Sequence, residues 1–251
     1  MRRGLRAAFR RMLGVLGRRH LRSVLPGGEV VRLSPAFRHM TWNPAEYAAF
    51  RAVLRAGDTT LDIGANVGAY AVLFGMWSGE AGRVFAFEPA AAAFDGLEAH
   101  VALNGLARRV RTVRAAVSDH VGTARFVSEG AQGTNHLLTP GTTAPVRATI
   151  EVPTTTIDAF CAEHGLRPRL IKIDVEGAEL AVLRGARRTI AAMPEDGAVF
   201  VELHPTAWAA MGVTAGEIGA ELTAQGLRPV ALRSGVSTWT VEGECVRLER
   251  V

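Results

Sequence analysis

A chain of 251 residues with 48% hydrophobic and 21% charged residues can bury a full core within one domain, which excludes a largely disordered protein. Its net charge of +5 comes from residues 1–22, which carry eight arginines and no acid and leave 21 basic and 24 acidic residues for the rest. The body is therefore slightly acidic, and no basic patch for nucleic acid is expected in it.

The two cysteines, Cys161 and Cys245, lie far apart and outside CxxC or CxxH spacing. Neither a disulfide framework nor a zinc site is indicated by this pattern. Two reduced thiols are typical of a cytoplasmic protein, and the cytoplasm is the predicted location.

Residues 1–42 are predicted to form a basic amphipathic arm. No apolar run in the chain reaches the roughly 18 residues that a spanning helix needs. The arm is not expected to be a secretory signal, because its apolar stretch is too short and arginines flank it on both sides. Three placements stay open: a helix docked on the domain or an oligomer partner, a frayed tail, or peripheral contact with a membrane or an acidic partner. Oligomeric state stays open as well. Apolar side chains recur at helical spacing in the arm, namely Leu5, Phe9, Met12, Leu13 and Leu16.

Residues 43–251 are predicted to form the domain, beginning with a helix capped by Asn43, with Pro44 at its first position, Glu46 reaching back and Gly57 closing its end. Strands and helices then alternate, which predicts a parallel α/β sheet covered on both faces, and the closely spaced strands at the carboxyl terminus predict an antiparallel edge. The predicted strands are 59–64, 83–89, 110–119, 169–177, 197–205, 227–233, 236–243 and 245–251, and the predicted helices are 69–77, 91–106, 157–166, 178–193 and 214–225.

The stretch LDIGANVG, residues 61–68, forms the turn after the first strand of the predicted sheet. Ligands of such sheets bind beyond the carboxyl ends of the strands, and Gly64 and Gly68 would let the backbone bend close to one. The spacing lacks the middle glycine of the dinucleotide fingerprint, and Asp62 would repel a diphosphate. An acid suits a cation with an amino-acid head, such as S-adenosylmethionine.

Two further acids follow the next two strands. Glu88 ends the second strand where it could accept both ribose hydroxyls, and Asp119, past the third strand, could accept from an adenine amino group. Three acids at the ends of successive strands indicate a site.

Seven stretches in register resemble the FkbM family of S-adenosylmethionine-dependent methyltransferases: LDIGANVGAY, VFAFEP, LNGL, AVSDHVGTARF, VPTTTIDAF, LIKIDVEGAELAVLRGA and VELHP. The resemblance implies a Rossmann-like class I methyltransferase fold, with a mostly parallel seven-stranded sheet. It also implies methylation of a hydroxyl on a natural product or sugar-containing small molecule. Carried over residue by residue, it assigns cofactor binding to Asp62, Gly64, Asn66, Gly68, Glu88 and Asp119.

Methyl transfer needs an aligned hydroxyl and a proton acceptor near the methyl group, at the ends of the fourth and fifth strands. Because side chains alternate along a strand, Asp174 and Glu176 of the fourth strand and Glu202 and His204 of the fifth are predicted to converge as catalytic groups. His204 has the acid/base character of a general base, although a strand-end structural role also fits it. Glu176 is also open to a helix-capping role, as is Glu179, for which capping is the preferred interpretation. Lys172, the only lysine, is interpreted as one half of a structural ion pair with a carboxylate.

No ligand spacing in the chain demands a metal, so no metal ligands are predicted, although a divalent metal such as magnesium could also use the oxygens of these acids, and that alternative stays open. The glycine-rich loop 130–143 is predicted to cover the acceptor site, with Asn135 and His136 as substrate contacts. Two alternatives to the O-methyltransferase stay open: an NAD-type oxidoreductase, disfavoured by the missing glycine, and a non-catalytic cofactor-binding protein of the same fold.

Overall fold

The computed structural model describes residues 20–127, 136–137, 149–239 and 241–251. Residues 136 and 137 are described by their backbone. The amino-terminal part of the predicted arm, residues 1–19, lies outside this description.

The strands of the described chain form three sheets of two, seven and four strands. In chain order they are β1 (Leu21–Val24), β2 (Val30–Leu33), β3 (Thr59–Ile63), β4 (Arg83–Phe87), β5 (Val110–Val113), β6 (Ala116–Val117), β7 (Gly122–Val127), β8 (His136–Leu137), β9 (Thr149–Thr155), β10 (Leu170–Ile173), β11 (Ala198–Leu203), β12 (Leu227–Ala231) and β13 (Glu244–Arg250).

Three of the helices between them begin at a side-chain cap, supplied by Asn43, Thr156 and Thr214. Asn43 Oδ1 accepts the backbone N–H of Ala45 at 2.9 Å, and Thr214 forms a capping box with Glu217. In chain order the helices are α1 (Pro44–Val53), α2 (Ala69–Trp77), α3 (Ala91–Leu103), α4 (Ile157–His164), α5 (Glu179–Arg184), α6 (Arg187–Ala192), α7 (Pro205–Met211) and α8 (Ala215–Ala224), and a 3-10 helix spans Pro35–Phe37.

The seven-stranded sheet runs in the order β12-β13-β11-β10-β3-β4-β5. The contacts from β11 through β10, β3 and β4 to β5 are parallel, whereas β13 is antiparallel to both of its neighbours. The predicted architecture, mostly parallel with an antiparallel carboxyl-terminal edge, is therefore confirmed. Strand order reverses between β3 and β10, which is where ligands bind in sheets of this kind.

Two apolar layers cover the two faces of this sheet. Leu61 and Ile63 of β3 face the layer of α4 to α8, which includes Trp208, and the intervening positions face the layer of α1 to α3, which includes Phe50. The alternation of strand side chains places Asp62 and Lys172 on the α1 to α3 side, where they oppose each other in register.

The four-stranded sheet, in the order β6-β9-β7-β8, stands beside the main sheet and was not predicted as a sheet. Its Ala116, Phe126 and Val152 pack against Ala90 and Ala178, so it forms a side wall near the ends of β4 and β10. The predicted third strand, 110–119, is wrong as one element, because its first half lies in the main sheet as β5 and its second half leaves it to form β6.

Three other predicted elements differ from the structure. The predicted helix 178–193 is two helices, α5 and α6, and the carbonyl of Gly185 between them accepts the backbone N–H of Asp158. The described part of the predicted strand 236–243 consists of turns and irregular backbone. Helix α1 ends at Val53, before Gly57, and Glu46 does not reach back to its start.

The hairpin of β1 and β2 lies within the segment assigned to the arm, yet it packs on the domain. Leu25, Val31 and Leu33 are buried in the same layer as α1 to α3. The boundary at residue 43 stays a prediction, while residues 20–42 contribute to the core. Among the described residues, no helix is both long and apolar enough to cross a membrane.

Candidate active site

Two clefts meet at the carboxyl edge of the sheet, where the strand order reverses. The first has a cavity volume of about 70 Å³ and is lined by Glu88, Phe87 and Phe126 among others. The second has a cavity volume of about 370 Å³ and lies between the turn after β3 and the segment 36–41. Gly64, Asn66 and Asp174 line both clefts, so the predicted glycine turn forms their common wall. The volume of the second cleft is in the range of small-molecule sites.

The glycine turn is held in place by the neighbouring strand ends. The backbone N–H groups of Gly64 and Ala65 both donate to the carbonyl of Phe87, at 3.0 and 2.8 Å. Gly64 has a φ of +78°, and a Cβ added to it would lie 1.7 Å from the carbonyl oxygen of Asp174. Glycine is required here because the end of β10 presses against the turn.

Gly68 serves the packing of two helices. It precedes α2 with a φ of +90°, and a Cβ there would lie 2.7 Å from Cδ1 of Leu97 on α3. Gly68 is not among the residues that line either cleft. Gly68 therefore lacks a side chain because of this helix packing, whereas the expected reason was the close approach of a ligand.

Glu88 directly follows β4, and backbone N–H groups hold its carboxylate in place. Oε2 accepts the N–H of Asn66 at 2.9 Å, and Oε1 accepts the N–H of Ala90 at 2.8 Å. Burial raises the pKa of Glu88 to about 7, although these two hydrogen bonds oppose the shift. Each carboxylate oxygen keeps a second lone pair, so Glu88 can still accept hydroxyl donors from a ligand in the first cleft.

Asp62 is a buried carboxylate that lines the second cleft. It is 1% exposed, and neither side-chain oxygen has a hydrogen-bond partner of normal geometry. Burial raises the pKa of Asp62 to about 6, with Lys172 and, more weakly, the backbone N–H of Ala71 lowering it in part. A buried acceptor without donors is costly unless a ligand satisfies it.

Lys172 forms an ion pair with a carboxylate, as the sequence predicts. Its Nζ lies 3.0 Å from Oδ2 of Asp174 and 3.9 Å from Oδ1 of Asp62, and it stands 5.4 Å from the ring centre of Tyr70. Burial alone would lower the pKa of Lys172, but Asp174 and Asp62 outweigh burial and raise it. The ammonium group is therefore charged, and the carboxylates of Asp174 and Asp62 hold it in place.

The four predicted catalytic side chains come together around the imidazole of His204. Its Nε2 lies 3.8 Å from Oδ1 of Asp174, 3.7 Å from Oε2 of Glu176 and 3.7 Å from Oε1 of Glu202. Asp174 and Glu202 are about a quarter exposed and Glu176 somewhat more, whereas His204 is buried. Burial raises the pKa of Glu176, whose backbone takes a φ of +51°.

Glu179 fixes the imidazole from behind. One of its oxygens lies 2.8 Å from Nδ1 of His204 and accepts the N–H of Gly177 at 3.0 Å, and the other accepts the indole N–H of Trp208 at 2.6 Å. Burial lowers the pKa of His204, but Glu179 and Glu202 more than offset it and raise the pKa to about 11. The neighbouring carboxylates therefore favour the protonated ring, and the general-base role of His204 stays a prediction.

The remaining predicted residues lie elsewhere. Asp119 does not line either cleft; its Oδ1 lies 2.9 Å from Nδ1 of His120, and that contact lowers the pKa of Asp119. Asn135 lies outside the described residues. His136 belongs to β8, and its side chain lies outside the description.

Chemically, this arrangement combines a buried acid without donors, a carboxylate poised for hydroxyl groups and a rim of carboxylates where two clefts meet. Such a site accepts a positively charged ligand and offers proton acceptors beside it. Residues 62–229 match a family profile described as the methyltransferase FkbM domain. The chain is a member of the FkbM methyltransferase family. S-adenosylmethionine is accordingly the cofactor, and the predicted resemblance is confirmed.

Solved structures share the fold of this FkbM member. An FkbM methyltransferase from Methylobacillus flagellatus KT has a TM-score of 0.51 at 18% identity, over 86% of this chain and 50% of that one, so the chain spans half of its length. A ribosomal protein L11 methylase from Lactobacillus delbrueckii subsp. bulgaricus gives 0.52 at 15% identity, over 93% and 91%. A SAM-dependent O-methyltransferase from Thermotoga maritima gives 0.50 at 14% identity, over 92% and 77%. No curated protein matches the chain.

Sequence reasoning did not predict the burial of Glu46 or two of the contacts of Glu179. Glu46 is only 4% exposed. Burial raises its pKa, and a hydrogen bond with Tyr70 lowers the pKa in part. The interpretation of Glu179 as a helix cap agrees with its hydrogen bond to the N–H of Gly177, but it does not predict the contacts of Glu179 with His204 and Trp208. The spacing of four between His204 and Trp208 relates these two residues at the start of α7, but no local signal links them to Glu179 on α5.

Proposed function

We propose that the protein is an S-adenosylmethionine-dependent O-methyltransferase acting on a hydroxyl of a natural-product or sugar-containing small molecule. The observation that carries the proposal is the position of Asp174. Its backbone and side chain stand where the two clefts meet, and its carboxylate belongs to the rim formed with Glu176, Glu202 and His204. A hydroxyl is a weak nucleophile, and such a rim supplies what it needs, orientation and a proton acceptor.

In this proposal the adenosine of the cofactor lies in the first cleft, with its ribose hydroxyls donating to Glu88. The amino-acid end lies in the second cleft, where its ammonium satisfies the oxygens of Asp62. Gly64 and Asp174, which line both clefts, would then hold the sulfonium end of the cofactor next to an acceptor on the rim. Asn66 contributes its backbone to the wall between these parts, and contacts from Asp119, Asn135 and His136 remain predictions.

We assign the proton acceptor to Glu176 and positioning of the acceptor to Asp174, Glu202 and His204. Glu176 lines the cofactor cleft, is 39% exposed and faces the rim, so a bound hydroxyl can reach it. As the acceptor oxygen bonds to the methyl carbon, the carbon–sulfur bond breaks with its electron pair on sulfur, and the hydroxyl proton passes to Glu176. The products are a methyl ether and S-adenosylhomocysteine.

The test uses methyl-labelled S-adenosylmethionine and a panel of sugar and polyketide alcohols, each paired with its deoxy analogue. We expect label in the alcohol and none in the analogue. Glu176→Gln should lower kcat by about a hundredfold because the proton acceptor is lost, with the Kd of S-adenosylhomocysteine unchanged. Glu242→Gln, a nearby acid that accepts the N–H of Thr206 at 3.0 Å, is the matched control and should behave as the wild type.

Label in both members of a pair would refute transfer to the hydroxyl. Cofactor binding without transfer to any acceptor of the panel would favour the non-catalytic binding protein. Stabilisation by NAD instead of S-adenosylhomocysteine would favour the oxidoreductase.

A further inference from the structure

Three side chains of the rim offer ligand atoms to a common point. One atom each from Asp174, Glu202 and His204 lies within 4.8 Å of the other two. Asp174 directly follows β10, Glu202 lies near the carboxyl end of the adjacent parallel strand β11, and His204 directly follows β11. They come together through strand pairing, which explains why no ligand spacing is visible in the sequence.

The imidazole of the buried His204 directs its Nε2 atom toward this point. His204 is 4% exposed, and its Nε2 meets carboxylate oxygens only at 3.7 to 3.8 Å, beyond hydrogen-bond distance. Its Nδ1 is engaged by Glu179, which is itself locked by Trp208. Histidines that bind metals in proteins use one ring nitrogen and give the other N–H to a carboxylate in this way.

The spacing and the charge both suit a cation. Bonds of about 2.0–2.2 Å from a metal to nitrogen and oxygen place neighbouring ligand atoms roughly 3–4 Å apart. Around His204 stand four carboxylates, those of Asp174, Glu176, Glu179 and Glu202, with Lys172 as the nearby cation. Lys172 occupies Oδ2 of Asp174 and leaves Oδ1 directed at His204.

We propose that Asp174, Glu202 and His204 bind one divalent cation of the Mn²⁺ type, which displaces the proton from Nε2 of His204 into solvent, with Glu179 positioning the histidine. Two carboxylates and one imidazole, without a thiolate, are a ligand set for such an ion. The inference rests on the proposed function, because the bound ion would hold the acceptor hydroxyl and make its proton easier to remove. Glu176, which lies outside the three ligands, then stays available as the proton acceptor.

The test titrates the full chain, freed of cations with a chelator, with MnCl₂, and follows free Mn²⁺ by electron paramagnetic resonance. We expect one Mn²⁺ bound per chain. Glu202→Gln and Asp174→Asn, both close in shape to the native residues, should each weaken binding by about tenfold or more. Glu242→Gln removes the same charge nearby and should leave the affinity unchanged. The thermal shift with S-adenosylhomocysteine checks that each variant is folded.

Binding that is absent in the wild type, or equally strong in Glu202→Gln and Asp174→Asn, overturns the site and leaves His204 as a cation held by its carboxylates. Because this readout needs no turnover, it is separate from the proposed reaction. Metal binding without hydroxyl methylation would refute the function and keep the site. Hydroxyl methylation by a chain that binds no Mn²⁺ would do the reverse.

Discussion

At the scale of single residues, Glu88 shows how one carboxylate serves both the fold and a ligand. Two backbone N–H groups, those of Asn66 and Ala90, order its side chain and tie the glycine turn to the start of α3. Burial nonetheless keeps its pKa near 7. A ligand that donates to Glu88 therefore binds a group that is only partly ionised at neutral pH.

From this follows a pH dependence of cofactor binding. The ionised form of Glu88 accepts the ribose hydroxyls, and its folded pKa is raised, so the binding-competent form is lost as pH falls through about 7. We expect the Kd of S-adenosylhomocysteine, measured by calorimetry, to rise roughly tenfold between pH 8 and pH 6. Glu88→Gln should bind more weakly at pH 8 and vary less with pH. A variant as pH-dependent as the wild type would show that another group is responsible.

At the scale of elements, the hairpin of β1 and β2 is fastened to the end of α3 by one side chain. Asn104 Oδ1 accepts the backbone N–H of Arg32 at 2.8 Å, and Nδ2 donates to the carbonyls of Arg32 at 2.9 Å and His100 at 2.8 Å. His100 adds a bond, since its Nε2 accepts the N–H of Ser34 at 3.1 Å. These bonds hold the chain just before the segment 36–41 that walls the second cleft.

We predict that Asn104→Ala lowers the free energy of unfolding by about 1–2 kcal/mol, because three partly exposed hydrogen bonds are lost together. Asn104→Asp keeps the acceptor for Arg32 but sets a carboxylate oxygen against the carbonyls of Arg32 and His100, so it should be no more stable than the alanine variant. Urea unfolding measures both. An alanine variant as stable as the wild type would mean that apolar burial alone holds the hairpin.

The elements that the sequence predicts well are those whose boundaries are marked locally. Helix α2 spans residues 69–77 as expected, because an apolar run begins directly after the glycine turn. The break between β5 and β6 was missed because Arg114 and Ala115 carry no turn signal, and β6 leaves the main sheet to pair with β9. Glu46 looked like a helix cap and is instead buried with a hydrogen bond to Tyr70 on another helix. Such differences depend on tertiary contacts.

At the scale of the whole molecule, ligand binding and stability are coupled through the described core. Both clefts are walled by strand ends of the main sheet, so a ligand that bridges them binds only the folded chain. The rim could be predicted from strand alternation, since Asp174, Glu176, Glu202 and His204 follow adjacent strands. The locking of His204 by Glu179 and Trp208 could not, because it joins α5 to α7.

S-adenosylhomocysteine at about a hundred times its Kd should stabilise the protein by about 2.7 kcal/mol and raise Tm by roughly 5–10 °C. NAD at the same concentration should raise it little, because Asp62 opposes a diphosphate. Differential scanning fluorimetry measures both shifts. A rise with NAD alone would require new roles for Asp62 and Glu88.

The packing of Gly64 against the carbonyl of Asp174 also bears on how this enzyme can be diversified. The common wall of the two clefts, which includes Gly64 and Asp174, is set by strand pairing, so a substitution there disturbs the sheet itself. The outer walls come from the segment 36–41 and from Ala116, Val117 and Phe126 of the small sheet, which do not belong to the main sheet. Changes to how the two clefts hold their ligand are therefore better made in these walls, with Gly64 and Asp174 left unchanged.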